Sequence, residues 1–233
     1  MPTYLYCLLG PASEPPRDVA GVAGAPVRVL SAGGLVAWVS DVTESPRPSL
    51  DALRAHDAVT RAALESGETP VPARFGQTFA DDAACGAALA ARESALRRAR
   101  ERVAGCVEMT LAVRIARPES GPPGGAASAT PSAGAGHAYM ERLRAAASLE
   151  RIVHDQARLA RAAIVPRVAH LVRGEASVVT VAPPLLTLSH LVPREAVEPY
   201  RRAVGALELG DISTGTAVRG PSAPYSFVTV NDG

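Results

Sequence analysis

The side chains able to do chemistry in this sequence are few and scattered, and the most demanding of them is one arginine. Arg74 lies in the stretch Pro70 to Phe79, PVPARFGQTF. The two prolines stiffen that backbone and remove two amide donors, so the segment cannot lie inside a helix. Val71, Phe75 and Phe79 are residues a core accepts, and Arg74 falls among them. An arginine held in that company requires a partner, because an unpaired buried charge costs on the order of several kcal/mol. Its chemistry is the grip of a carboxylate, either of a ligand or partner protein or of Asp57 or Glu108 in the same chain. The internal reading is favoured, because those carboxylates are at hand. Gly76, directly after Phe75, calls for a positive φ or a close backbone approach.

The other candidate groups form no constellation. The five histidines run from His56 to His190 without ligand spacing on any one element, which describes surface or satisfied core residues better than a metal site. Cys7, Cys85 and Cys106 are too few and too far apart for a disulfide framework or a zinc knuckle. Cys85 falls in the first turn of an expected helix, the one place where a thiolate gains support. There is no phosphate loop, no dinucleotide fingerprint, no HExxH and no GxSxG. The reading is therefore no catalytic residue, no cofactor and no metal.

The totals agree. A formal net charge of +1 gives no electrostatic case for nucleic acid or an anionic membrane surface. No apolar run approaches the ~18 residues of a membrane-spanning helix. All basic residues are arginine, in company with abundant Ala, Gly and Pro, a compositional bias rather than a phosphate-binding signal. Free thiols and the lack of a secretory signal predict a reducing, cytoplasmic setting. With 47% hydrophobic residues but only 4% aromatic ones, the chain can fold around modest, alanine-rich cores.

The elements that must position these residues are strands and helices in segregated runs. Tyr4 to Leu9 reads as a buried strand, and Val27 to Leu30 with Leu35 to Ser40 as a hairpin about Gly33-Gly34. Ser49 caps a helix from Leu50 to Ser66 that Gly67 ends. On its wheel Leu50, Leu53, Thr60 and Leu64 share a face with Asp57, which makes Asp57–Arg74, or His56 bonded to the loop backbone, the expected anchor of the 70–79 segment. Asp81 or Asp82 opens a second helix to about Arg102, with Cys85, Leu89, Leu96 and Val103 on one stripe. Val107 to Ile115 alternates with period two and is the clearest strand. Arg117 to Gly136 holds Pro, Gly, Ser and Ala without a large apolar residue and reads as a linker. A helix from His137 to Val172, interrupted near Pro166, two strands (Val178 to Val181, Leu186 to Val192), a helix from Arg194 to Leu207 and a strand at Thr216 to Arg219 follow. The end, GPSAPYSFV, reads as an extended segment that packs on the fold. The class is α+β, with an N-terminal domain over 1–117, a linker over 118–136, a second α+β domain over 137–219 and a tail over 220–233.

In their order and spacing, YLYCLL, RVLSAGGLVAWVSDV, LRAHDAVTRAAL, PVPARFGQTF, VEMTLAVRI, AYMERLR, SHLVPREAVEPYRRAVGALE and GPSAPYSFV resemble the gas vesicle protein F/L family over nearly the whole chain. His56, Arg74, Phe75, Gly76, Glu108, Tyr139, Gly220, Pro221, Pro224, Tyr225 and Phe227 resemble family positions. Two departures stand out. Ser222 and Ala223 replace the tryptophan and first proline of the usual GPWPPYSF ending, and Asp57 stands where asparagine is common. The resemblance implies a modified ferredoxin-like N-terminal sheet with helices, a second α+β domain, ferredoxin-like as well, and an extended tail. It further implies an accessory protein of the vesicle that binds the main shell protein and limits its aggregation during nucleation, among other gas vesicle accessory proteins. The alternative is a small-molecule-binding or enzymatic α+β protein with a cleft near Arg74, His56 and Glu108.

Overall fold

The structure is a computed structural model that describes residues 1–11, 13–32, 34–116 and 135–228. The chain divides into two compact units. One comprises Met1–Met109, His190–Val197 and Gly220–Gly233, and the other Thr110–Ser189 and Glu198–Arg219.

In the first unit a sheet is built from β1 (Thr3–Leu9), β2 (Arg28–Ala32), β3 (Leu35–Asp41), β4 (Val71–Pro72) and β5 (Thr78–Phe79). Its order is β2-β3-β1-β4, with β5 also paired to β1, and all pairings are antiparallel. That is the strand order of a ferredoxin-like sheet, modified because the first crossover carries only the single 3-10 turn Val22–Gly24. Every residue of β1 is buried, which is why it reads as a continuous apolar run rather than an alternating one. A register shift between Leu5 and Cys7 changes the phase of the strand. Tyr4, Tyr6, Cys7 and Leu9 consequently share one cluster with Trp38 and Val59, while Leu5 and Leu8 join Cys85, Leu89, Leu96 and Val103 in another.

Helix α1 (Leu50–Glu65) begins at Ser49, whose side chain accepts from the Ala52 amide at 3.1 Å. Its inward face takes only part of the face expected from the wheel: Thr60 and Leu64 are buried, and the first two leucines are not. Leu50 is 62% exposed and Leu53 45%. The helix instead turns in Ala52, Ala55, His56, Val59, Thr60 and Ala63, a complete i, i+3, i+4, i+7 series of smaller residues. Weighting the wheel by leucine misplaced only the first turns, where the small side chains of Ala52 and Ala55 turn toward the sheet instead.

The second expected helix is two, α2 (Asp82–Ala90) and α3 (Glu93–Val103), separated by a turn at Ala91 and Arg92 that neither Pro nor Gly announces. Asp81 caps α2 by accepting from the Ala84 amide at 2.8 Å, and Gly105, with φ 70°, closes α3. Arg28 on β2 bridges Asp41 at 2.5 Å and Asp82 at 2.7 Å, tying the sheet to the start of α2.

The second sheet contains β6 (Cys106–Ile115), β7 (Gly174–Val181), β8 (Pro184–Pro193) and β9 (Ser213–Ser222), in the order β7-β8-β6-β9. With α4 (Ala135–Val168) after β6 and α5 (Val197–Gly205) after β8, this is a full β-α-β-β-α-β ferredoxin-like run. Val153, Ala157, Ala160 and Ile164 of α4 and Tyr200 and Val204 of α5 are buried, as are Leu111, Val113 and Ile115 of β6. Helix α4 continues past Pro166 to Val168 and then passes into a 3-10 turn, Ala169–Leu171.

This topology changes the domain division read from sequence. β6 pairs with β8 and β9, so its residues after Met109 belong with the second unit and not with an N-terminal domain ending at 117. The stretch expected to be an interdomain linker follows the first strand of the second sheet and precedes that sheet's first helix. Its residues 117–134 lie outside the described residues. The second unit also ends within β9, whose last residues Gly220–Ser222 belong with the first unit. Periodicity identifies a strand but not the sheet that accepts it.

Candidate functional site

The singled-out residues that come together do so in the first unit, around His56. Strand β1 supplies Tyr4, helix α1 supplies His56 and Thr60, the 70–79 segment supplies Ala73, Phe75 and Gly76, and the tail supplies Tyr225. His56 Nδ1 lies 2.8 Å from Tyr4 Oη, and its Nε2 lies 3.2 Å from the Ala73 carbonyl and 3.1 Å from Tyr225 Oη. A carbonyl can only accept, so Nε2 carries the proton and Nδ1 accepts from the Tyr4 hydroxyl. Tyr4 Oη in turn accepts from the Gly76 amide at 3.1 Å, and Tyr225 donates to Thr60 Oγ1 at 3.3 Å. The Phe75 ring stands edge-on to His56 at 5.9 Å, and Tyr4 to Tyr6 at 4.9 Å. Gly76 has φ 87°, and nothing lies within 4 Å of the Cβ it lacks, so of the two readings of this glycine the positive φ is the one present.

A second junction holds the tail. Glu108 is buried, and its carboxylate accepts from the Ser226 amide at 2.8 Å and from Ser226 Oγ at 2.6 Å. The Glu108 carbonyl accepts from Ser222 Oγ at 3.3 Å. Gly220, with φ 110°, lets the chain pass so close to β6 that a Cβ there would stand 2.6 Å from the Glu108 carbonyl oxygen. Pro221 is exposed and Pro224 buried. The tail is extended only to Ser222. From Pro224 it turns, the Phe227 and Val228 amides donating to the Pro224 carbonyl at 3.1 Å each. That turn carries Phe227 and the buried Val228 into the cluster that also takes Phe79.

Two expectations are corrected. Arg74 is exposed rather than held among apolar side chains. Asp57 does not anchor the loop to α1; its carboxylate receives Arg61 of the same helix at 2.5 Å. Of the two anchors expected for the 70–79 segment, the His56 bond to loop backbone is the one present. Asp57→Ala is therefore expected to change stability by less than about 0.5 kcal/mol, as for an exposed i, i+4 pair, and urea denaturation read by Trp38 fluorescence checks it. Tyr139 on α4 is 58% exposed and takes no part in the His56 cluster. Three contributors escaped the sequence reading. Tyr4 and Thr60 look like ordinary core residues. Arg194 donates to the Leu64 and Glu68 carbonyls at 2.9 and 2.7 Å, closing the C-terminal end of α1 from 130 positions away from Leu64, and no local pattern announces that.

Chemically this is a clasp, its polar groups paired within the fold. Burial pushes the Tyr4 and Tyr225 hydroxyls well above the usual phenol range. Burial likewise pushes the Cys85 thiol up to about 11 despite its helical first turn, so it is no thiolate at neutral pH. His56 and Glu108, two of the three groups that a ligand cleft would need, are occupied by bonds inside the fold. No group of His, Cys, Asp or Glu among the described residues is arranged to hold a metal.

Burial also holds the His56 pKa below its ordinary value, against the opposing pull of the Ala73 bond and of nearby Asp57. Between the folded and the unfolded value (about 6.5), the unfolded chain binds more protons. Stability is therefore fully present above the unfolded value and falls as the pH drops below it, by at most about 1.4 kcal/mol per pH unit. Urea midpoints at pH 7 and pH 5 should separate more for the native protein than for His56→Gln. Equal separations would remove His56 as the origin.

Two ferredoxin-like α+β units, with a C-terminal tail clasped by buried hydrogen bonds to the first, define the class of protein. The family described as "Gas vesicle synthesis protein GvpL/GvpF" matches residues 2–229, and the chain belongs to that family. It is 31% identical over 251 residues to gas vesicle protein F of Streptomyces sp. (strain CB03234), across 98% of this chain and 100% of that protein. Crystal structures of GvpF from Microcystis aeruginosa and Anabaena sp. PCC7120 have the same fold. Their TM-scores are 0.71 and 0.70 at 18% and 17% identity, each covering 97% of this chain, and 98% and 97% of theirs. Membership places the protein in gas vesicle formation, in association with gas vesicle components, and in a family of vesicle proteins rather than of enzymes. No helix among the described residues is long and apolar enough to cross a membrane.

Proposed function

We propose that this chain is a cytoplasmic assembly factor that binds the main gas vesicle shell protein, together with other accessory proteins, and limits the aggregation of that shell protein during nucleation. The observation that carries the reading is the family match over residues 2–229. The internal pairing of His56 and Glu108 agrees with it, because a protein that works by binding requires no poised acid, base or nucleophile. A hydrophobic shell protein aggregates through its apolar surface, and a binder that covers this surface competes with self-association. The test is retention of the full chain on immobilised shell protein, with light scattering of the shell protein followed at equimolar ratio. Retention with slower growth of scattering is expected. Absence of retention with unchanged scattering would exclude the role.

A further inference from the structure

Within the first unit the tail segment 223–228 is held as a ligand is held. The Tyr225 amide donates to the Ala223 carbonyl at 2.9 Å, and the Phe227 and Val228 amides donate to the Pro224 carbonyl, so these turn bonds lie inside the segment. A set of sockets joins it to the unit. His56 and Thr60 take the Tyr225 hydroxyl, the Glu108 carboxylate takes the Ser226 amide and hydroxyl, and the apolar cluster of Leu5, Cys106 and Leu191 takes Phe227 and Val228. The first socket is complete without the tail: His56 Nε2 keeps the Ala73 carbonyl, and Thr60 Oγ1 keeps the Asp57 carbonyl at 3.0 Å. The second socket is not. Among the described residues, both hydrogen bonds to the buried Glu108 carboxylate come from Ser226. A carboxylate buried to serve the fold alone is paired by the fold, whereas this one is paired by the segment that sits on it. Ser226 is exposed and Tyr225 half-buried, so the segment lies in the surface of the unit.

We propose that these sockets form a recognition site for a linear Pro-Tyr-Ser-Phe-Val segment, that the tail leaves it while the rest of the first unit stays folded, and that the site then takes the same segment from a second copy of the chain. The tail seated in it defines the occupant: a phenol for the first socket, an amide with a neighbouring hydroxyl for the second, and apolar side chains for the third. Copies that trade tails forfeit none of these contacts, so the exchange costs chiefly the entropy of association. In a single chain the tether holds the tail near its own site at an effective concentration on the order of a millimolar. The native chain is therefore monomeric when dilute, and exchange sets in where copies are crowded.

Amide exchange on the native chain tests the first step. The buried Val228 amide is expected to show protection at least about tenfold below that of β1, because it opens with the tail alone. Equal protection would mean that the tail leaves only when the unit unfolds, and would overturn the proposal. Sedimentation equilibrium of the full chain tests the second step. The double variant Tyr225→Ala with Ser226→Ala keeps the site and spoils the tail, and Glu108→Ala keeps the tail and spoils the site. Each alone is expected to be monomeric at micromolar concentration, and their equimolar mixture to show a species of twice the 24.0 kDa of one chain. Adding Glu108→Ala to the double variant should abolish that species. A mixture that stays monomeric while both variants keep the native far-UV spectrum would overturn the second copy as occupant, as would a dimer that survives the added substitution.

Discussion

Replacing Tyr225 by alanine is expected to destabilise the first unit by about 3 kcal/mol. The ring lies tilted at 43° to that of His56 at 6.5 Å, and its hydroxyl lies 3.1 Å from His56 Nε2 and 3.3 Å from Thr60 Oγ1. Truncation removes the apolar contact of a large ring and strips a hydrogen-bond partner from two buried groups at once. Tyr225→Phe keeps the ring and should cost only about 1 kcal/mol, the ordinary net worth of a buried hydrogen bond. The difference between the two variants separates packing from bonding. The single tryptophan, Trp38, is a convenient reporter, because it is fully buried in the cluster that contains Tyr4 and Tyr6. Urea midpoints read from its fluorescence should fall in the order native, Tyr225→Phe, Tyr225→Ala. Equal midpoints for all three would mean that the tail does not brace this cluster.

Gly220→Ala is expected to have an effect of similar size, about 3 kcal/mol, from a different cause. The residue has φ 110°, which an L side chain rarely adopts, and its Cβ would meet the Glu108 carbonyl oxygen at 2.6 Å and Met109 Cα at 3.2 Å. These are backbone atoms of β6 and cannot rotate away. Relief requires the tail to separate from β6 at the residue whose carboxylate also holds Ser226. Amide exchange should show that separation directly, as lost protection at Ser226 in the variant. Gly205→Ala is the control. Nothing lies within 4 Å of the Cβ it would add at the end of α5, and there alanine is neutral or stabilising by up to about 1 kcal/mol. If both substitutions behaved alike, the close approach at Gly220 would not be what sets the cost.

Much of this molecule was present in the sequence by itself. Local physics sufficed for the buried β1 run, the Ser49 cap, the hairpin before Asp41 and the period-two strand β6, and it narrowed the cap of α2 to Asp81 or Asp82 and the role of Gly76 to a positive φ or a close approach. Each depends on residues within a few positions of one another, as capping, alternation and turn chemistry do. Only the tertiary structure decided the rest. Whether β6 pairs in the first or the second sheet depends on β8 and β9, which come some 70 or more positions later, since Leu111 and Leu186 are separated by 75. Which face of the first turns of α1 is inward depends on how closely the sheet approaches, and alanines win there over Leu50 and Leu53, while Leu64 is buried as expected. Arg74 looked buried because its neighbours are aromatic, but Phe75 turns to His56 while Arg74 is exposed. The clasp joins Tyr4, His56, Ala73 and Tyr225, so its longest bond in sequence spans 169 positions. No local pattern of residues can encode the partner at the far end of so long a loop.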